Sequence, residues 1–172
     1  SPRSSQHSTH RTEPATTAPA VMPAHAQQAF TQALLERVAH AISDVEATTH
    51  AEIRISIRDL REAGEAELTL RELAMKEFTM LGMHRTTGRV GILLLIMYHE
   101  RRFYVYGDQG VEAHAHPATW TDVAEALRRH FAAADFEGGL LAALGAIEGH
   151  LRGALPERAT TDNELTNDVS IR

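Results

Sequence analysis

Cysteine is absent from all 172 residues. Its absence excludes a disulfide scaffold, thiolate-bound zinc, iron–sulfur clusters and thiol catalysis, while leaving the cellular compartment open. An excess of positive charge is also missing: 17 Lys and Arg stand against 23 Asp and Glu, a net charge of −6. Nucleic acid is thereby excluded as a general partner, because neutralising a phosphate backbone needs a basic field. Long apolar runs are lacking. The longest, Val90 to Tyr98, falls far short of the ~20 residues that a membrane helix needs. The chain begins at Ser1, without a basic stretch leading into an apolar one, so no secretory leader is visible and an upstream segment or a removed tag is expected. Catalytic signatures are equally scarce. There is no Walker-type Gly-rich loop, no Cys-based phosphatase loop, no D-x-D pair and no G-x-S-x-G elbow. No solenoid or propeller period repeats along the chain.

What is present suffices for one domain. Hydrophobic residues make up 43% of the chain, too many for wholesale disorder. A chain of this size buries roughly two-thirds of its unfolded surface, so it needs no metal merely to fold. Residues 1–25 are rich in Ser, Thr, Pro, Ala and His, with Pro2, Pro14, Pro19 and Pro23 breaking any helix, and read as a disordered arm. Residues 26–157 form the expected domain. Residues 158–172 form a polar tail that still carries Leu165, Val169 and Ile171, enough to dock in part.

Periodicity supplies the elements. Phe30, Leu34, Val38, Ile42 and Val45 recur every three or four residues and make one apolar helix face. Glu52 to Arg58 alternates, with Ile53, Ile55 and Ile57 opposite Arg54, Ser56 and Arg58: a strand with one wet face, or one flanked by long charged side chains. A helix is expected from about Glu65 to Leu81, stopped by Gly82. Val90 to Tyr98 reads as a central strand buried on both faces. His99-Glu100-Arg101 turns into a third strand, Phe103 to Tyr106, ended by Gly107-Asp108-Gln109-Gly110. Thr119 is the expected cap of a helix carrying Trp120, Val123, Leu127 and Phe131. Asp135 with Gly138-Gly139 marks a break, and a last helix runs to Pro156. The order helix, strand, helix, strand, strand, helix, helix predicts an α/β fold, a three-layer α/β/α sandwich on a small mixed sheet. Its first two strands are parallel through a right-handed crossover. A fourth short strand fits near Val111 or in the C-terminal tail.

This topology carries a chemical expectation. Parallel first and second strands put Glu52 and Arg89 at one sheet edge, and the returning third strand brings Asp108 back to it. Glu46, at the end of the first helix, feeds the same corner. Grouped carboxylates with backbone carbonyls are what the hard cations Ca²⁺ and Mg²⁺ prefer. The plainer alternative makes Asp108 a turn residue and Glu46 and Glu52 solvated caps. His114-Ala115-His116 offers two imidazoles, but Pro117 follows and no third ligand stands at a suggestive spacing, so an exposed loop is favoured over a zinc site. Arg89 and Arg54 are the residues expected to hold a phosphate, if one binds. The pairs Arg101-Arg102 and Arg128-Arg129 read as solvated surface.

Several stretches together resemble the TPM domain family, named for a thylakoid lumen protein, a photosystem II repair protein and a nematode receptor modulator. They are Glu46-Ala47-Thr48-Thr49-His50-Ala51-Glu52-Ile53-Arg54, Phe78 to Met83, Gly88 to Leu93, Tyr106-Gly107-Asp108-Gln109-Gly110 and Asp135-Phe136-Glu137-Gly138-Gly139-Leu140. The tail Asp162 to Ile171 resembles the ending of a soluble bacterial branch. The likeness spans about residues 26–171; His50-Ala51 and the H-x-H loop depart from it. The resemblance implies a small α/β/α domain that binds divalent cations and works on or beside membranes, and one plant member is described as an acid phosphatase. It also implies Glu46, Glu52, Asp108 and Asp135 as metal ligands, with Asp135 approaching the Asp108 loop. The resulting expectation is a Ca- or Mg-binding, non-enzymatic module, chaperone-like in assisting client proteins or membrane-complex subunits. Its expected location is cytoplasmic or membrane-associated through another segment. A metal-assisted acid phosphatase is the alternative.

Overall fold

The strands Glu52–Arg58 (β1), Gly91–Met97 (β2), Arg102–Gly107 (β3) and Ser170–Ile171 (β4) form one open mixed sheet in the order β3-β2-β1-β4. The structure, a computed structural model, describes residues 22–157 and 169–172. β1 pairs parallel with β2 and with β4, and β3 runs antiparallel to β2. Among the described residues, six α-helices surround the sheet: Ala26–Ala29 (α1), Gln32–Thr49 (α2), Leu70–Met80 (α3), Gln109–Glu112 (α4), Pro117–Ala132 (α5) and Phe136–Leu151 (α6).

The period of each segment explains the layers. On one side, Leu34, Val38, Ile42 and Val45 of α2 meet Ile53, Ile55 and Ile57 of β1 and Ile92, Leu94 and Ile96 of β2, together with α5 and α6. On the other side, Leu70, Leu73, Ala74 and Phe78 of α3 cover Leu93, Leu95 and Met97. β2 is therefore buried along all seven residues, as a strand covered on both faces must be. This is the expected α/β/α sandwich. The open question about β1 is also answered, because its second face is not wet. Ser56 and Arg58 are buried there, Ser56 donating to Glu77 at 2.8 Å and Arg58 pairing with Glu65 at 2.5 Å.

Local chemistry moved three boundaries. The helix expected from Glu65 begins at Leu70, because Thr69 and Glu72 form a capping box: Glu72 N–H donates to Thr69 Oγ1 at 3.1 Å and Thr69 N–H to Glu72 Oε2 at 3.3 Å. The expected cap at Thr119 is replaced by His116, whose Nδ1 accepts from Ala118 N–H at 3.0 Å, with Pro117 at the favoured first helical position. Thr119 lies buried inside α5. The break expected at Asp135 with Gly138-Gly139 falls at Asp135, which caps α6 by accepting from Gly138 N–H at 2.9 Å, so that both glycines lie inside the helix. The last helix ends at Leu151, ahead of Pro156.

The fourth strand lies in the tail, while Val111 sits in α4. β4 is fastened at its end: Arg172 N–H donates to Ile57 O at 2.8 Å, Asp59 N–H to Arg172 O at 2.9 Å, and the Arg172 guanidinium pairs with Glu77 at 2.5 Å. Residues 1–21 of the expected arm and 158–168 of the expected tail lie outside the described residues. Residues 22–25 pack onto the domain. Met22 leans on the core, and Tyr98 Oη donates to Pro23 O at 2.5 Å.

Candidate metal centre

Parallel pairing of β1 and β2 sets Arg58 opposite Met97, so the residues just beyond both strands emerge side by side. His99 N–H donates to Asp59 O at 3.3 Å, and its imidazole Nε2 lies 3.3 Å from Asp59 Oδ1. The segment ahead of α1 is held to the same spot by the Tyr98–Pro23 bond and by Ala26 N–H, which donates to Asp59 Oδ1 at 2.8 Å. Burial, with the Asp59 charge adding to it, pushes the Tyr98 phenol up, so it stays a donor at neutral pH. His25 thereby faces His99 edge-on, with ring centroids 6.3 Å apart. One donor atom from each of His25, Asp59 and His99 lies within 4.8 Å of the others. Among the described residues no other group of three or more His, Asp or Glu side chains meets that condition. Asp59 is half-buried and both histidines are exposed, so an ion has direct access. The trio sits outside the carboxyl ends of two parallel strands, where open α/β sheets characteristically bind ligands.

The acidic residues expected as ligands divide between the two ends of the sheet. Glu52 stands opposite Gly91, and Asp108 N–H donates to Gly91 O at 2.9 Å, so both flank the start of β2. Glu46 reaches this edge as well, its Oε2 accepting from Ile53 N–H at 2.9 Å. Asp108 is buried and already holds a cation of the protein's own. Arg89 donates to it through Nε at 2.7 Å and Nη2 at 3.0 Å. Asp135 does not join them. It is an exposed cap beside Phe136, whose ring lies 6.0 Å from Tyr98 at the far end of β2. Six strand steps of ~3.3 Å put about 20 Å between the two ends. His114 and His116 each take a local backbone partner, Gly110 O and Ala118 N–H, both at 3.0 Å.

The Asp108–Arg89 clamp depends on close backbone approach. A Cβ built at Gly110 meets Gly88 O at 2.0 Å and Arg89 O at 2.7 Å, both backbone atoms with no rotamer to escape into. Gly110→Ala is therefore expected to cost about 1–3 kcal/mol, the usual range for overpacking. Gly145→Ala on the exposed side of α6, where a Cβ meets nothing within 4 Å, should instead stabilise by about 0.5–1 kcal/mol. Urea unfolding of both variants checks the pair, and equal effects would contradict the packing argument.

In the sequence alone, His25 is an arm residue without a ligand role, and Asp59 and His99 have none either. The last two were within reach, since they follow the ends of neighbouring parallel strands. His25 carried no signal, because nothing in the Pro-rich stretch before it specifies a return to Tyr98.

The fold is similar to that of the BA42 protein from the psychrophilic bacterium Bizionia argentinensis, at 25% identity and a TM-score of 0.73, covering 83% of this chain and 94% of that one. Two further solved structures share the fold alone. The N-terminal domain of the cg2496 protein from Corynebacterium glutamicum is 13% identical with a TM-score of 0.55, covering 78% of this chain and 82% of that one. The N-terminal domain of a P. gingivalis protein is 18% identical with a TM-score of 0.52, covering 77% of this chain and 82% of that one. No curated protein matches the sequence. The TPM domain, as a family, matches residues 24–150, well over half of the chain. From Ala24 to His150, therefore, the order of elements and the sequence agree, and the chain belongs to the TPM domain family.

Proposed function

We propose that this TPM domain is a non-enzymatic module that binds a divalent cation through His25, Asp59 and His99. The observation carrying this reading is the convergence of three ligand atoms within 4.8 Å from three separate chain segments. Two imidazoles and one carboxylate suit Zn²⁺ and neighbouring transition metals, whereas Ca²⁺ and Mg²⁺ favour oxygen donors throughout. Such an ion would tie the segment ahead of α1 to the ends of β1 and β2, so binding would add directly to folding stability. Three protein ligands leave coordination positions for water or for a side chain of a partner. A client protein or a membrane-complex subunit assisted in a chaperone-like way fits that opening. No helix among the described residues is long and apolar enough to cross a membrane.

A second reading keeps Ca²⁺ or Mg²⁺ at Glu46, Glu52 and Asp108, supported by their shared sheet edge. Arg89 competes there, since it already neutralises Asp108. Acid phosphatase activity is the remaining alternative. It requires metal-activated water, and Arg89, expected to hold phosphate, has its Nε and Nη2 engaged by Asp108.

Titrating chelator-treated protein with Zn²⁺, Ca²⁺ and Mg²⁺, while following imidazole resonances and thermal unfolding, separates these readings. Zn²⁺ is expected to shift the His25 and His99 rings and to stabilise by about 2.7 kcal/mol at a hundredfold excess over Kd. His99→Ala should abolish both effects, and Glu52→Gln should leave them intact. Ring signals unmoved at millimolar Zn²⁺ would sink the proposal. Amides of Gly107 to Gly110 moving with Ca²⁺ would transfer it to the acidic edge. Phosphomonoester turnover by the metal-loaded protein, lost in His99→Ala, would replace it with the enzyme.

A further inference from the structure

Among the described residues β3 is an edge strand, and its open side is a groove. Antiparallel pairs alternate between those that exchange hydrogen bonds and those that do not. Asp108 N–H donates to Gly91 O, so Tyr106, Tyr104 and Arg102 also face β2. The N–H and C=O groups of Phe103, Val105 and Gly107 consequently point away from the sheet. A row of such groups is a template for another strand. β2 is buried throughout, whereas β3 remains half-exposed along its length. The groove beside it has a volume of about 880 Å³ and runs between Arg71 of α3 and Trp120 and Arg128 of α5. Gly107 lets Trp120 close over the strand end, since a Cβ there would meet the indole at 2.9 Å.

The groove continues into a second cavity of about 240 Å³, because Phe103 and Arg128 line both. That cavity is apolar within, where Met22, Phe131 and Phe136 meet, and carries Arg101 and Arg102 at its rim. Arg101 holds a left-handed backbone with φ 54°, a conformation that costs about 1 kcal/mol and that glycine would relieve. Among the described residues neither Arg101 nor Arg102 has a carboxylate within salt-bridge distance, and Arg128 pairs only with exposed Glu125, at 2.9 Å. In a protein of net charge −6, four arginines and one glutamate, Glu112, line this continuous surface.

We propose that β3 and this groove dock an extended acidic segment of a partner protein, added as a fifth strand with an apolar side chain in the cavity below Arg101 and Arg102. Main-chain pairing supplies affinity, and the arginines and the cavity supply selectivity. A second copy of this chain is disfavoured as the occupant, because pairing β3 with itself brings the same arginines together from both sides. The proposal is independent of the metal centre.

The test uses the full chain and a synthetic octapeptide, acetylated and amidated, of sequence Glu-Glu-Val-Thr-Val-Phe-Asp-Glu. Binding is expected to shift the amides of Phe103, Val105 and Gly107 and to slow their hydrogen exchange. Arg71→Glu with Arg128→Glu, both on the surface, should weaken it about tenfold or more, and a peptide with Lys in place of each acid should not bind. Val105→Pro removes an outward-pointing donor, a place where an edge strand tolerates proline, and should abolish binding while the protein stays folded. No response at millimolar peptide, or equal binding of the Lys peptide, would overturn the proposal. So would self-association that protects the same amides without any peptide.

Discussion

Arg58→Met is expected to cost about 3–5 kcal/mol of stability, because it strands buried carboxylates that Arg58 now neutralises. Arg58 is 1% exposed at the end of β1. Its guanidinium grips Glu65 through Nη2 at 2.5 Å and Nη1 at 3.1 Å, donates to Leu60 O at 3.3 Å, and stands 3.9 Å from Glu77. Glu65 is equally buried and keeps only Lys76, at 3.1 Å, and the Glu62 N–H, at 2.7 Å, once Arg58 is gone. For a chain of this size the loss corresponds to a fall in Tm of roughly 6–20 °C. Adding Glu65→Leu removes the stranded charge along with its partner and should recover most of the loss, since a well-packed apolar pair is often as stable as a buried ionic one. Thermal and urea unfolding of the single and double variants provide the measurement. A single variant within about 1 kcal/mol of the parent would mean that water or the neighbouring cations already satisfy Glu65.

Acid is expected to remove about 3 kcal/mol through the same group. The hydrogen bond from Arg58 pulls the Glu65 carboxyl from its ordinary 4.5 down to about 2, overcoming the opposing effect of burial. A carboxyl with a depressed folded pKa contributes its full stability above the unfolded value and loses it as pH falls through the folded one. The window therefore runs from about pH 4.5 down to about pH 2. At ~1.36 kcal/mol per unit, the shift sets the magnitude given above. Other carboxyls add acid sensitivity. Glu137, held low by Arg37, is one, but it sits in a partly exposed pair where solvent weakens the effect. The difference between parent and Arg58→Met isolates the Glu65 contribution. Urea midpoints taken from pH 7 to pH 2 should converge at the acid end as the parent loses what the variant already lacks. Parallel curves would remove Glu65 from the account.

This ion network shows where sequence reading stops. The alternation of Ile53, Ile55 and Ile57 with Arg54, Ser56 and Arg58 specifies a strand whatever covers its second face. Whether that face meets water or a helix is decided by α3 and by Glu77, 21 residues away from Ser56 along the chain. The two alternatives kept for β1 were thus the most that alternation can provide. The boundaries of α3 and α5 moved for a related reason. Capping is a competition among neighbouring side chains, and the Thr69–Glu72 pair and His116 outcompeted residues that looked equally suitable. The acidic edge was legible because parallel pairing follows from a strand–helix–strand order. Its occupancy was not: Arg89 reaches Asp108 from a left-handed backbone, φ 56°, that no periodicity announces.

The sequence by itself determined the elements, their order, the parallel β1–β2 pair, the sandwich and the family, because all of these are written in local periodicity and in spacings along the chain. Only the tertiary structure decided which side chains meet. It joined His25 to Asp59 and His99, separated Asp135 from Asp108 by the length of the sheet, buried Arg58 with Glu65, and laid β4 on β1 while leaving β3 at the edge among the described residues. Each of those outcomes depends on residues far apart in the chain, held at a few ångströms by packing that no single segment encodes.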